Sequence, residues 1–375
     1  QAVKYYTDST PITGLVSGNT YFLKNVEADF TGSQALYTFT SHTFTNAGAT
    51  GKAGPTVAQM RAAYSTTWDE TYVTQGSFQG YQDWVVPVSG EYDFVVSGAA
   101  GYNGTGSGSV GRGARVSGRV ALTKGEIITM AVGQVGEAPS SGTINGGSGG
   151  GSFVVRKAGN QPLFVAGGGT GEPNTGAGKD GVLTQLGGES TGGREAGGNA
   201  GFGGVATRGY SPAGGGFNSR GGNSFNNTFY GVGGGSFLDG LTMTDTNNRG
   251  GGYGGFGGGA QADGYYAQQS GGAGGYSGGG GAQTGTTRHS GGGGGSYLTS
   301  TAINVGTSTG QFDGSSTFNG QTITDIGTYN SGQGAIAVAL VASFTTGNEV
   351  YPTGLDAENS TNKIAIEAAG SSYHA

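Results

Sequence analysis

Apolar and polar residues alternate along several short runs of this chain with the two-residue period of a half-buried strand. The clearest runs lie between positions 81 and 98. Gln82-Asp83-Trp84-Val85-Val86-Pro87-Val88 leads into a Ser89-Gly90-Glu91 turn, and Tyr92-Asp93-Phe94-Val95-Val96-Ser97 alternates before turning wholly apolar. Segments 115–122 and 126–132 flank a Lys124-Gly125 turn and predict a hairpin; 152–156 and 162–166 predict another. Shorter strands are expected at 21–26, 35–39 and 42–44. The run 334–344 is nearly all apolar, as expected of a strand inside a sheet. One helix is predicted, over 55–64. Pro55 suits a first helical turn, and Val57, Met60, Ala63 and Tyr64 share a face.

Between the early and late strands periodicity gives way to glycine, which supplies 87 of the 375 residues. The densest stretch reads Gly250-Gly251-Gly252-Tyr253-Gly254-Gly255-Phe256-Gly257-Gly258-Gly259, continues through 271–281, and ends in Gly291 to Gly295, Ser296, Tyr297 and Leu298. One pattern occurs three times: Gly149-Gly150-Gly151-Ser152-Phe153-Val154, Gly233-Gly234-Gly235-Ser236-Phe237-Leu238 and Gly293-Gly294-Gly295-Ser296-Tyr297-Leu298. Each reads as a glycine segment running into an anchoring aromatic. Such a region is either a flexible linker or a packed bundle of extended threefold helices, whose outward N–H and C=O groups pair with neighbouring backbones. Ordering a glycine costs about 0.5–1 kcal/mol more than ordering alanine. A hydrogen bond returns about 0.5–1.5 kcal/mol net. A lone glycine helix is therefore unstable, whereas several helices clamped by a β framework can hold. Any side chain at a contact position is expected to push such helices apart.

Composition narrows the functional classes. The net charge is −6, with 17 Lys and Arg against 23 Asp and Glu, which is not the balance of a chain that wraps nucleic acid. Arg220-Gly221-Gly222 and Arg249-Gly250-Gly251 look like arginine-glycine boxes, but apolar strands bracket the block. No apolar run approaches the ~18 residues of a membrane-spanning helix. Cysteine is absent, so disulfides and thiolate metal sites are impossible. The opening Gln1-Ala2-Val3-Lys4 lacks both an initiator Met and a signal-peptide pattern, as expected of a processed chain or a piece of a longer one.

No catalytic constellation emerges. Gly106-Ser107-Gly108-Ser109-Val110-Gly111 matches G-x-G-x-x-G, yet a strand-like alternation follows where a dinucleotide site needs a helix. His42, His289 and His374 are far apart and lack metal-ligand spacing. Asp69-Glu70 is the one adjacent acidic pair and reads as a solvated turn, while Asp239, Asp245 and Asp313 lack a calcium-loop signature. Neither catalytic residues, a metal nor a cofactor is expected. Aromatics beside Asn and Gln stand out at Phe225, Asn226, Phe229, Tyr230, Tyr265 and Tyr266. They are the candidate receptor contacts, since an aromatic face with a polar tip suits sugars and wet protein surfaces.

The run Trp84-Val85-Val86-Pro87-Val88-Ser89-Gly90-Glu91-Tyr92-Asp93-Phe94-Val95-Val96-Ser97-Gly98-Ala99 resembles the opening of the glycine-rich domain of the anaplastic lymphoma kinase and leukocyte tyrosine kinase receptors. Segments 251–259, 275–281 and 291–297 are similar to its core, and 332–338 to its closing strand. Segments 44–51 and 54–60, with Trp68, resemble marine bacteriophage (cyanophage-like) fibre and virion proteins that carry the same domain. The resemblance implies an all-β fold, a tumour-necrosis-factor-like β-sandwich with an inserted polyglycine type II helix bundle. It divides the chain into an N-terminal β connecting module (1–30), a β-sandwich (31–100 and 296–345), a glycine-rich insertion with polyglycine helices and β hairpins (101–295), and an extended C-terminal tail (346–375). The expected role is non-enzymatic: a structural and adhesive subunit of an extracellular appendage, foremost a phage tail or capsid fibre displaying a host-attachment surface. Expected partners are further copies of the chain (a trimer by analogy), other virion proteins, and a host cell-surface protein or glycan, with neither nucleic acid nor membrane insertion. Two alternatives remain: a bacterial surface or filament subunit that polymerises by strand exchange, and a receptor-type ligand-binding module.

Overall fold

The computed structural model describes residues 2–4, 20–22, 35–104, 107–139, 145–193, 195–207, 211–224, 231–244, 251–263, 269–283, 289–308, 317–318, 321–322, 324–343, 349–350 and 364–365. The described residues form a mostly β structure dominated by two six-stranded sheets. In chain order the strands are β1 (Ala2–Lys4), β2 (Thr20–Phe22), β3 (Ser41–Phe44), β4 (Val73–Gln75), β5 (Tyr81–Val85), β6 (Gly90–Ser97), β7 (Arg115–Leu122), β8 (Ile127–Ala131), β9 (Ser152–Arg156), β10 (Gln161–Ala166), β11 (Tyr297–Leu298), β12 (Ile303–Thr307), β13 (Thr317–Phe318), β14 (Gln321–Thr322), β15 (Thr324–Asp325), β16 (Ala335–Ser343), β17 (Glu349–Val350) and β18 (Ile364–Ala365). One sheet runs β11-β10-β9-β8-β5-β4 and the other β15-β12-β7-β6-β16-β3; β1-β2, β13-β14 and β17-β18 are separate pairs. All pairings within the two large sheets are antiparallel except β12 with β15.

The two large sheets share one hydrophobic core. Tyr92, Phe94 and Val96 of β6, Val116, Val120 and Leu122 of β7, and Ile336 and Val338 of β16 meet Trp84 of β5, Ile128 and Met130 of β8, Val154 of β9 and Phe164 of β10. The period-two alternation of β6, β7 and β16 puts these residues on one face. Gly118 lies on that face of β7 because Phe164 occupies its side-chain space. A Cβ there would come within 2.8 Å of the Phe164 ring, which stacks on Phe94 at 5.4 Å. β16 lies between β6 and β3, inside its sheet as its apolar run predicts.

One expected connection and one expected strand differ. Segments 115–122 and 126–132 form strands but not a hairpin: β7 pairs with β6 and β12, whereas β8 pairs with β5 and β9. The Lys124-Gly125 turn therefore arches from one sheet to the other, so Leu122 and Ile128 enter the same core from opposite layers. A hairpin and an arch share the same alternation and turn residues, so the pattern alone cannot separate them. The β9–β10 hairpin forms, with a register shift between Pro162 and Phe164. Segment 35–39 is not a strand; Tyr37 and Phe39 pack their rings against Trp68 at 4.9 and 5.5 Å.

The expected helix is α1 (Val57–Ala63). Thr56 caps it, accepting from the Gln59 N–H while the Gln59 side chain accepts from the Thr56 N–H. Met60 and Tyr64 are buried, but Val57 is 41% exposed and Ala63 also faces out, so the packed face is narrower than expected. Asp69 opens the short α2 (Asp69–Tyr72) and is buried, not in a solvated turn. Its carboxylate accepts from Thr66 Oγ1 at 2.7 Å and lies 3.6 Å from the Arg61 guanidinium, which also donates to the Glu70 and Val73 carbonyls at 2.7 and 2.9 Å. That paired cation is what lets an acid sit there.

His42, on the edge strand β3, is boxed edge-on by Phe44, Tyr64 and Trp68 at 4.7, 4.7 and 5.1 Å. Its Nε2 is buried without a hydrogen-bond partner. Desolvation lowers its pKa below the ordinary 6.5, against a smaller upward pull from Asp69. The unfolded chain therefore binds a proton that the fold refuses. This contribution to stability is complete above pH ~6.5 and declines as the pH falls toward the lowered folded value. Unfolding titrations at pH 7.5 and 5 should show a loss of stability that His42→Phe diminishes; an undiminished loss in that variant would place its origin elsewhere.

Candidate functional site

The glycine-rich segments pack against the outer face of the β5-β8-β9-β10 layer, so that layer is covered on both sides. Tyr81, Ala131, Phe153, Val155 and Val165 on this face form a second apolar cluster with Phe217, Phe237, Leu241 and Phe256. Four chain reversals in the block each send an aromatic into or against the cluster: Phe217, Phe237, Phe256 and Tyr276. Phe237 is the hub, with ring centroids 4.9 Å from Tyr81, 5.4 Å from Phe153 and 4.8 Å from Phe217. All three aromatics of the repeated Gly-Gly-Gly-Ser pattern reach this place, Phe153 and Phe237 within it and Tyr297 packed against it.

The serine of that pattern does more than fill space. Ser152 and Ser296 are fully buried and do the same work: each hydroxyl accepts a glycine N–H (Gly133 at 3.0 Å, Gly167 at 3.1 Å) and donates to a carbonyl (Ser97 at 2.7 Å, Val182 at 2.7 Å). A hydroxyl thereby joins two backbones where glycine would lose both bonds. Ser236 departs from this, donating to the Asp239 carboxylate at 2.8 Å.

Inside the block, successive N–H groups point to different neighbours and return to the same one every third residue. Along 147–151 the N–H groups of Gly147 and Gly150 donate to Glu137 and Gln134, those of Ser148 and Gly151 to Ala260 and Gly257, and that of Gly149 to Gly169. Along 213–217 the targets are Gly222, Gly279, Gly258, Ser219 and Tyr276, with the same recurrence. Segment 272–276 has neighbours on six sides. It donates to 212 and 215, to 292 and 295, and to 149, and it accepts from Gly168, Ala260 and Gly279. Glycine is what permits this approach: a Cβ built on Gly274 would stand 2.0 Å from the Gly257 oxygen, and one on Gly292 1.8 Å from that of Gly188. The expectation that every side chain is excluded is too strict, because Ala213, Ala260, Ala273 and Ala282 are all fully buried here. A methyl fits where it points into a gap between backbones.

The candidate receptor contacts Phe225, Asn226, Phe229, Tyr230, Tyr265 and Tyr266 lie outside the described residues. The described residues flanking them lie at the end of the block away from the aromatic cluster, and they lie together. Ser224 Oγ donates to the Gly231 carbonyl at 3.0 Å, and Asp263 N–H to the Gln269 carbonyl at 3.0 Å, closing the bases of 225–230 and 264–268. A Cβ on Gly231 would lie 3.0 Å from Gln261 Oε1 and 3.4 Å from Pro212, so the two bases are neighbours. Ser211, at the base of 208–210, donates through Oγ to the Gln269 carbonyl and through N–H to Ala282, beside 284–288. Asn145, closing 140–144, donates from Nδ2 to the Asp263 carbonyl at 3.0 Å. The aromatics of two intervals are visible in the sequence, but this convergence is not, because it comes from the up-and-down path of the glycine segments.

Lys157 Nζ meets the buried Asp83 carboxylate at 2.5 Å, and Thr129 Oγ1 donates to the same carboxylate at 2.6 Å. Asp239 lies 3.6 Å from Arg220, while Asp245 and Asp313 fall outside the described residues. Among the described residues no group of three or more His, Cys, Asp or Glu is placed to hold a metal, and no helix is long and apolar enough to cross a membrane. No family model matches the chain.

Proposed function

We propose that this chain is a non-enzymatic structural and adhesive subunit of an extracellular appendage, foremost a phage tail or capsid fibre protein that displays a host-attachment surface. In this reading the two sheets are a tumour-necrosis-factor-like sandwich and the glycine block is a bundle of polyglycine type II helices. The three-residue recurrence of donors and the six-sided surroundings of 272–276 support the helical assignment, since a threefold helix without internal hydrogen bonds offers all its N–H and C=O groups outward. At ~3.1 Å per residue, such segments of five to seven residues hold the loop bases roughly 15–20 Å from the sheet. The observation that carries the functional reading is the gathering of five loop bases at one end of a scaffold whose other end is pinned by aromatics. Binding surfaces are commonly built this way, as loops on a rigid frame. The partners that fit are other virion proteins, further copies of the chain, and a host cell-surface protein or glycan met by the aromatic loops.

Replacing 225–230 and 264–268 with short glycine-serine connections should abolish adsorption to host cells while particles assemble normally. Adsorption at the wild-type rate by such particles would remove the attachment role from these loops.

A further inference from the structure

The tetrapeptide Gly-Phe-Gly-Gly occurs at both 201–204 and 255–258, each time at a chain reversal on the sheet-facing end of the block. The two phenylalanines have opposite fates. Phe256 is fully buried in the aromatic cluster, whereas Phe202 is 51% exposed. Its reversal is tied to the neighbouring one, with Asn218 donating from N–H to Gly201 O at 2.7 Å and from Nδ2 to Ala200 O at 3.0 Å. Phe202 therefore stands in the row of sheet-docking aromatics without sheet beneath it. Leu186, 57% exposed, belongs to the adjacent reversal, and Leu238, 42% exposed, lies on the far side of Phe217, to whose carbonyl its N–H donates. Tyr276 and Tyr297, half-buried with ring centroids 4.5 Å apart, and Phe78, 38% exposed beside Gly240, complete the strip.

We propose that this strip is a self-association surface covered by a second copy of the chain. Its six principal side chains carry no charge, and burial raises the pKa of Tyr276 and Tyr297, so both stay neutral at neutral pH. The Asn218 side-chain amide beside the strip is already engaged, Nδ2 donating to the Ala200 carbonyl. The charges beside the strip, Arg220 and Asp239, lie 3.6 Å apart and are paired with each other, so a charged ligand would compete with that pair for its counter-ion, and a sugar would find aliphatic Leu186 and Leu238 where it needs hydrogen bonds. An apolar protein surface meets neither cost. With ~150–250 Å² per aromatic, the exposed parts of the six residues amount to on the order of 400–500 Å² per copy. Two copies facing each other about a twofold axis join about 800–1,000 Å², and a polar rim of ordinary width brings this past the ~1,000 Å² of a specific interface. The strip lies at the opposite end of the block from the loop bases, so association and attachment can be tested apart.

The test uses the full chain in sedimentation velocity across a wide concentration range. The wild-type chain should associate reversibly. The pair Phe202→Ser with Leu186→Ser should weaken association about 100-fold, with the far-UV spectrum and the monomer's thermal midpoint unchanged. The chain has no cysteine, so Phe202→Cys supplies a unique thiol whose alkylation should slow as the protein concentration rises; Gly332→Cys, remote from the strip, should react at a constant rate. A wild-type chain that stays monomeric throughout, association indifferent to the serine pair, or a monomer that binds a neutral glycan through Tyr276 and Tyr297 would each overturn the proposal.

Discussion

Gly274→Ala is expected to destabilise the chain by at least about 3 kcal/mol, although it adds one methyl group and removes conformational freedom from the unfolded chain. The second effect alone would stabilise by about 0.4–1 kcal/mol. It loses because the added Cβ would stand 2.0 Å from the Gly257 oxygen and 2.5 Å from the Gly258 carbonyl carbon, where no flexible side chain can give way. Nor can either backbone yield freely. Gly274 donates to Gly149 and accepts from Gly168, while the Gly257 oxygen accepts from Gly151. Relieving the clash therefore breaks hydrogen bonds in three segments at once. One residue away the chemistry reverses. Ala273 is fully buried, and Ala273→Gly should cost only about 1–2 kcal/mol, from the lost methyl and the added backbone freedom. Gly332→Ala, where nothing lies within 4 Å of the new Cβ, should change stability by less than about 1 kcal/mol. Denaturant midpoints for the three variants decide the matter: if Gly274→Ala fell within 1 kcal/mol of wild type, the tight packing of this block would not exist in solution.

That contrast shows where the sequence could and could not be read. Strands β6, β7, β9, β10 and β16 are visible as alternation or apolar runs, because a strand between two layers writes its burial into every second or every residue. The arch between β7 and β8 is not visible, since layer choice depends on pairings made far along the chain. Burial of Asp69 depends likewise on Arg61, eight residues earlier in α1. Within the glycine block, composition shows that backbones must approach closely but not which ones, because a segment that presents its backbone on every side carries no face to read. The informative letters there are the exceptions. Buried serines mark the links, buried alanines the gaps, and aromatics directly after Gly or Ser at 217, 237, 256 and 276 the reversals that dock on the sheet. Composition singles out the candidate receptor contacts, and only the packing of the described residues flanking them brings those flanks together.

The two Gly-Phe-Gly-Gly tetrapeptides should respond to the same substitution by amounts that differ several-fold. Phe256→Ala is expected to cost about 3–5 kcal/mol, the range for deleting a fully buried aromatic. The ring does more than fill a cavity. Gly54 and Gly80 are both shaped around it: a Cβ on either would come within 2.9 and 2.6 Å of its atoms. The Phe256 backbone N–H, which alanine keeps, donates to the Gly51 carbonyl at 2.7 Å, and the ring centroid lies 6.3 Å from that of Tyr81. Removing the ring takes away packing shared by three parts of the chain far apart in sequence: the 51–54 turn, the start of β5 and the glycine block. On the side of Gly54 and Gly80 little can collapse into the space, because those two positions have no side chains to rotate inward. Phe202→Ala removes the same ring from the same local sequence, but half of that ring already faces water, and the expected change is within about 0.5 kcal/mol for the monomer. Measurement at concentrations low enough to exclude association separates this folding effect from any role of Phe202 between copies. Similar losses at both positions would mean that Phe202 is covered by its own chain in solution. Small losses at both would mean that the block is not clamped to the sheet through Phe256, leaving Phe217 and Phe237 to hold it.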